Sequence, residues 1–456
     1  MSGLFLYSGK EVNPIMRWKW IMVLVMLVFF CLPGMAVRAA EVGREDLYLA
    51  TGLISMASYS DEMNILTRQW LQGIGWTFAA QENINSIAEG RFQLASRELP
   101  DHTEMYILVF PGTERLKDAE VDLRLSRVYF AGTNPDAFKA AAAESGHNGS
   151  DPLVHQGFND YTRVALFQKK LPAFGDKTAG EVIAALLKDN PQSVLYLTGH
   201  SLGGAVATLT AARLADMGVR PEQLQVVTFG APAVGNKAFA RAYEKRMNLT
   251  RIVMDGDPVK SVLQSLSGGF VQFGQRITWE KNHNSERFAH DMVVYLDQAL
   301  RNYQDAYPLA EKPSAVLSGQ ARQLSGGLYV APVQFAVDDH IVADEPYMQR
   351  IMHQMLQMDY TPVVFASAQQ PDTFASWQSD ARLAGCQYIL LQRLQAKRIR
   401  DERYSFRLSL EEELYDRQGN LLTMQSVSAT THDLTPIEVA GYLQYRAAAQ
   451  RNVYLK

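Results

Sequence analysis

Cysteine is almost missing from this chain. Only Cys31 and Cys386 occur among its 456 residues, so no disulfide framework or cysteine-based zinc site can be built after the leader described below. Basic stripes are missing too. Lys and Arg total 44 against 48 Asp and Glu, a formal net charge of −4, and the first 39 residues hold Lys10, Arg17, Lys19 and Arg38 against Glu11 alone. The remainder is more acidic still and has no clustered cations for phosphate contacts, which argues for no nucleic acid as partner. Internal repeats and low-complexity tracts are absent. A hydrophobic fraction of 47% beside 20% charge excludes a disordered chain and suffices for two or three ordinary cores.

A long apolar run occurs in one place. From Met16 the sequence reads Met-Arg-Trp-Lys-Trp, then an apolar stretch over 21–32, Pro33-Gly34, and Val37-Arg38-Ala39 with small residues where a signal peptidase reads them. Residues 1–39 are expected to be a cleaved signal peptide, which makes the mature protein secreted or periplasmic. An uncleaved anchor fits less well, because about 12 residues at about 1.5 Å each span about 18 Å of a roughly 30 Å hydrocarbon layer. Phe30 stands where a lipoprotein signal wants a small residue, so lipid attachment at Cys31 is not expected. Met16 is an alternative start.

Residues 40–307 alternate short β-branched or aromatic runs with amphipathic helical stretches. That pattern predicts an α/β fold with a mostly parallel sheet flanked by helices, with strands at 106–110, 194–198, 225–229 and 251–254. The Pro-, Ser-, Gly- and Ala-rich stretch 308–327 reads as a linker. A smaller α/β domain is expected over 328–456. Its order is strand 328–335, helix 346–358, strand 362–365, helix 372–384, strand 388–394 and a hairpin of 404–415 with 421–428. Cys386 reads as a small buried hydrophobe. The acidic run Asp338-Asp339-His340 with Asp344 and Glu345 reads as a solvated loop, so no metal site is expected there or elsewhere.

Gly199-His200-Ser201-Leu202-Gly203 matches G-x-S-x-G, in which a serine sits on a sharp strand-to-helix bend and the flanking glycines remove side chains that would collide. Context supports it. A buried-strand pattern precedes the motif and small residues open a helix after it. A serine hydroxyl needs an imidazole to take its proton and a carboxylate to orient that imidazole. The acid is expected just after the strand 251–254, at Asp257 or Asp255; Asp257 is favoured because Pro258 fixes the chain behind it and Asp255 suits a turn. The base is His290 or His283, with His290 favoured at the start of a helix. His200 reads as structural. An oxyanion hole requires donors already in place: the Leu202 backbone N–H, and Thr113 in the loop Pro111-Gly112-Thr113 after an early strand.

Six segments in one order resemble the class 3 (fungal-type) lipase family of α/β-hydrolases over roughly 45–305. Phe110-Pro111-Gly112-Thr113, followed by Asp118 and Asp122, resembles its oxyanion loop; His155-Gln156-Gly157-Phe158 with Tyr161 resembles its H-x-G-F segment. The run Gly199 to Gly204 resembles G-H-S-L-G-G, and Phe229-Gly230-Ala231-Pro232 with Gly235-Asn236 resembles F-G-x-P with G-N. Asp257-Pro258-Val259 and His290 with Tyr295 complete the set. Pro111 replaces the family's usual Arg, which removes that residue's ion pairs. The resemblance implies Ser201, Asp257 and His290 as catalytic, Thr113 and Leu202 as the oxyanion hole, cofactors: none, and a lipid or other acyl-ester substrate.

The resemblance also implies a lid touching membrane surfaces. The interval 114–154, with Val128-Tyr129-Phe130-Ala131, is either that lid or an insertion packed on the sheet. The expected activity is an exported serine hydrolase, a lipase, carboxylesterase or phospholipase acting through an acyl-enzyme at Ser201. The competing reading is a catalytically inactive envelope scaffold on a hydrolase fold. The second unit resembles small α/β domains of bacterial envelope proteins in its strand-helix order, and its protein partner is not named by any motif.

Overall fold

In the strand Glu104–Phe110 every residue after the first is buried, and in Leu195–His200 all six are. Apolar runs without alternation belong to strands covered on both faces. The computed structural model describes residues 42–59, 62–84, 89–99, 104–112, 126–258, 269–282, 287–307, 321–367, 373–399, 405–431 and 434–456. The signal-peptide reading of 1–39 lies outside them.

The main sheet has seven strands whose spatial order is their chain order: β1 (Thr77–Ile84), β2 (Glu89–Glu98), β3 (Glu104–Phe110), β4 (Leu195–His200), β5 (Leu224–Phe229), β6 (Asn248–Met254) and β7 (Gln275–Trp279). The first three are antiparallel neighbours, and β3 to β7 run parallel. Register places Leu108, Leu197, Val226 and Leu249 in one row across the sheet. That row faces one core, which also contains Ala205, Val206 and Leu209 of helix α3 (Leu202–Asp216). Ile107, Val109, Val227 and Ile252 point to the other face, covered by α1 (Arg44–Ala57) and α4 (Met292–Ala306). Between these in sequence, α2 (Glu62–Gly73) leads into β1. The hairpin β1–β2 escaped sequence reading because Gln81-Glu82-Asn83 looks like a loop.

The second unit is a six-stranded sheet, in chain order β8 (Arg322–Val330), β9 (Gln334–Val337), β10 (Tyr360–Phe365), β11 (Tyr388–Arg398), β12 (Phe406–Asp416) and β13 (Leu421–Thr431). Spatially the order is β10-β8-β11-β12-β13, with β9 also paired to β11. Three elements depart from expectation. The strand expected over 328–335 is broken, β8 ending at Val330 and β9 starting at Gln334. Strand β8 begins at Arg322, inside the stretch expected as linker: its register shifts between Gln323 and Leu328, so Ser325-Gly326-Gly327 is a bulge within the sheet. Helix α6 (Pro436–Tyr454) was unforeseen because its buried set includes Glu438, Gln444 and Arg451 beside apolar residues, so no polar face marks it. Thr435 caps it by accepting from the Glu438 N–H at 3.0 Å.

The two units share a core. Met348, Met352 and Met355 of helix α5 (Glu345–Asp359), with Ile437 and Val439 of α6, join the same apolar cluster as Leu53, Trp70 and Leu296. Among the described residues no helix is long and apolar enough to cross a membrane.

Candidate active site

The bend between β4 and α3 holds a strained backbone. Ser201 has φ 52° and ψ −120°, and Asp176 is the other positive-φ non-glycine residue among those described. A non-glycine residue there costs about 1–3 kcal/mol and persists when its surroundings over-determine it. They do so here. The Ser201 N–H donates to the Phe229 carbonyl at 2.9 Å, and a Cβ on Gly203 would fall on the Phe110 carbonyl oxygen. The end of β3 therefore presses directly on the bend.

Asp257 follows β6 through a tight turn, its N–H donating to the Met254 carbonyl at 3.2 Å. His290 precedes α4 by two residues. The chain brings them to the serine: His290 Nδ1 donates to Asp257 Oδ2 at 2.8 Å, and the Ser201 hydroxyl donates to His290 Nε2 at 2.9 Å. A proton on Nδ1, held by the carboxylate, leaves Nε2 as the acceptor. His290 and Asp257 are fully buried and Ser201 is 5% exposed. The Tyr295 hydroxyl donates to Asp257 Oδ2 at 2.6 Å and accepts from the Met254 N–H at 3.0 Å. Burial, and after it the Asp257 charge, raise the phenol far above its usual range, so it remains a donor. Gly230, at φ 57°, leaves room for all three: a Cβ there would sit 2.9 Å from the Tyr295 hydroxyl, 3.0 Å from Asp257 Oδ2 and 3.1 Å from His290 Cε1.

His200 has a more specific place than its structural reading implied. Its Nε2 lies 2.7 Å from the His290 carbonyl oxygen, which can only accept, so Nε2 carries the proton and Nδ1 accepts from the Tyr59 hydroxyl at 2.5 Å. Burial, and then the neighbouring His290, depress its pKa to about 3 and keep it neutral. Tyr59 and His200 thus hold the backbone of His290. Sequence gave no signal for Tyr59, which is 142 positions from Ser201.

Asp255 is exposed in the turn. Thr113 and His283, like Asp118 and Asp122, lie outside the described residues. The Leu202 N–H belongs to the first turn of α3, whose donors have no intrahelical acceptor. His155 Nδ1 accepts from the Phe158 N–H at 3.4 Å, and Asn236 Oδ1 from the Phe239 N–H at 3.0 Å, so two of the six motif segments are helix caps. Phe130 is 1% exposed under the Arg213 guanidinium, with Val128, Tyr129 and Ala131 half-buried beside it, while 114–125 of the interval expected as a lid lie outside the described residues. No group of three metal-ligating side chains occurs among the described residues.

A parallel sheet with a serine on its strand-to-helix bend, an imidazole behind the serine and a carboxylate behind the imidazole is an α/β-hydrolase. Residues 107–265 match the family model described as Lipase (class 3). A lipase of Caenorhabditis elegans is 51% identical over 67 residues, 14% of this chain and 19% of that protein. A secreted mono- and diacylglycerol lipase of Penicillium cyclopium is 31% identical over 195 residues, 42% of this chain and 54% of that one. A chloroplastic phospholipase A(1) of Arabidopsis thaliana is 37% identical over 121 residues, 25% of this chain and 26% of that one. The matched region thus spans a fifth to about half of these relatives. Among solved structures, lipase II from Rhizopus niveus aligns with a TM-score of 0.38 at 20% identity, covering 54% of this chain and 83% of that one.

Proposed function

We propose that this protein is an exported serine hydrolase that cleaves lipid acyl esters through an acyl-enzyme at Ser201. The observation that carries the proposal is the continuous hydrogen-bond chain from the Ser201 hydroxyl through His290 to Asp257. His290 Nε2 takes the hydroxyl proton as Ser201 Oγ bonds to the ester carbonyl carbon, and Asp257 stabilises the resulting imidazolium. The oxyanion is received by the Leu202 N–H, with Thr113 as its second donor. His290 returns the proton to the departing alcohol oxygen as the ester C–O bond breaks. Water then repeats the sequence on the acyl-enzyme, releasing the carboxylic acid and restoring the serine.

The lipases and the phospholipase A(1) among the relatives support a lipid ester over other acyl donors. The secreted fungal relative and the expected signal peptide support export. Phe288, two residues before His290 and 51% exposed, suits contact with an acyl chain or lipid surface at the site's rim. A fluorophosphonate probe tests the reading. Stoichiometric labelling that is lost in Ser201→Ala, together with turnover of p-nitrophenyl esters, supports the hydrolase; a folded, unlabelled wild-type chain would establish the inactive scaffold instead.

A further inference from the structure

The helix that begins just after His290 is held at both ends. Near its start, Tyr295 reaches Asp257. Along its second half it is gripped by the second unit. Arg301 donates from Nε and Nη2 to the two Asp297 carboxylate oxygens, 2.8 and 3.2 Å, and its Nη2 also donates to Asp344 Oδ1 at 2.5 Å. All three side chains are about nine-tenths buried. One turn further, Arg350 Nη1 donates to the Gln304 carbonyl at 3.1 Å and to Asp305 Oδ1 at 3.0 Å, and the Tyr347 hydroxyl donates to Asp305 Oδ2 at 3.2 Å. Gln354 Nε2 donates to the Tyr307 carbonyl at 3.3 Å. The Tyr347 ring contacts the guanidinium groups of both Arg301, 4.6 Å away, and Arg350, 4.4 Å away.

These contacts fall where a helix most needs partners. The last carbonyls of α4 have no intrahelical donor and carry the negative end of its dipole. Arg350 and Gln354, both from α5 of the second unit, supply donors there. An ion pair buried to this degree fixes geometry more than it adds stability, because desolvation offsets much of the attraction. The Asp297–Arg301–Asp344 group therefore reads as a locator. Its two carboxylates face one guanidinium from different units, so α4 can neither slide nor rotate without breaking it.

We propose that the second unit is a clamp on the helix that follows His290, and that Asp344 is a positioning residue for the hydrolase chemistry. The inference rests on the hydrolase reading above. Asp344 touches no reacting atom. It acts through Arg301 and the helix on two things at once, the site of the His290 ring and the reach of Tyr295 to Asp257.

The test uses the full chain with Asp344→Ala and, as the conservative comparison, Asp344→Asn. In Asp344→Ala the rate constant for fluorophosphonate modification of Ser201 is expected to fall on the order of tenfold, since sub-ångström misplacement is expensive in this chemistry. The final stoichiometry stays at the wild-type value. On a p-nitrophenyl ester kcat falls in step while KM stays within about twofold, and Asp344→Asn lies between. Reduced stoichiometry with the remaining molecules reacting at the wild-type rate would mean a role in folding alone and overturns the clamp, as does an unchanged rate. If Asp344→Ala does not fold, Arg350→Gln at the half-buried rim carries the same readouts. A wild-type chain that takes no label sinks the hydrolase reading; amide exchange over 290–296 then still decides the clamp, faster exchange in the variant supporting it and unchanged exchange refuting it.

Discussion

Asp257 Oδ2 receives two donors, His290 Nδ1 and the Tyr295 hydroxyl, and the second has no part in moving protons. Tyr295→Phe keeps the ring and removes that donor, along with the acceptor for the buried Met254 N–H. We expect a loss of about 1–3 kcal/mol in unfolding free energy, read by urea titration. We also expect kcat to drop on the order of tenfold, equivalent to about 1.4 kcal/mol of transition-state stabilisation; wild-type kcat in this variant would mean that the Tyr295 hydroxyl does not help to orient Asp257. Tyr59→Phe acts on the other side. It deprives His200 Nδ1 of its donor and frees the ring to lose its hold on the His290 carbonyl. The same two assays should show a smaller fall in both quantities, and no change in either would remove Tyr59 from the site's support.

At the scale of elements, the bend works because three backbones meet without side chains between them. A Cβ on Gly203 meets the Phe110 carbonyl, one on Gly199 meets the backbone of Gly203, and one on Gly204 comes within 2.7 Å of Ala231 Cβ. Backbone atoms held in a sheet cannot give way as the end of a long side chain can. Gly203→Ala should therefore cost about 3 kcal/mol and slow labelling of Ser201 by displacing the end of β3. Gly149→Ala, where no atom lies within 4 Å of the new methyl, should stay within about 0.5 kcal/mol of wild type. Equal denaturation midpoints for the two variants would show that the contact at the bend relaxes freely.

For the whole molecule, the seam between the units contains a carboxyl that prefers to be neutral. Glu438, at the start of α6, accepts from the Thr67 hydroxyl of α2, while its other oxygen is buried without a partner. Burial pushes its pKa up to about 8 from the usual 4.5. The folded chain therefore holds a proton that the unfolded chain releases, so this group's contribution to stability declines as pH rises from about 4.5 to about 8. Glu438→Gln should abolish that part of the pH dependence and raise the melting temperature at pH 8; parallel melting curves against pH for the two proteins would refute it. The buried imidazoles act in the opposite sense. His155, His200 and His353 are held neutral, with pKa values depressed by burial to about 4, 3 and 4. Their stabilisation is present above the unfolded value of 6.5 and is lost as pH falls through that window.

Four of the five parallel strands and the serine bend were legible because they depend on neighbours in sequence: an unbroken apolar run, two glycines around one serine, and small residues opening a helix all act within a few positions. Asp257 and His290 could be named on the same local grounds, as polar residues at the end of a strand and the start of a helix. What the sequence by itself determined was thus the set of elements and the chemistry offered at their ends. Tertiary structure alone decided that Tyr59 and His200 hold the His290 backbone, that Ser325-Gly326-Gly327 is a bulge in a sheet and not part of a linker, that a helix with buried Glu438 and Arg451 closes the second unit, and that Asp344 grips Arg301 across two units. Each depends on side chains tens to hundreds of positions apart meeting in a water-poor core, where a polar group's partner is set by packing and leaves no periodic trace in the chain.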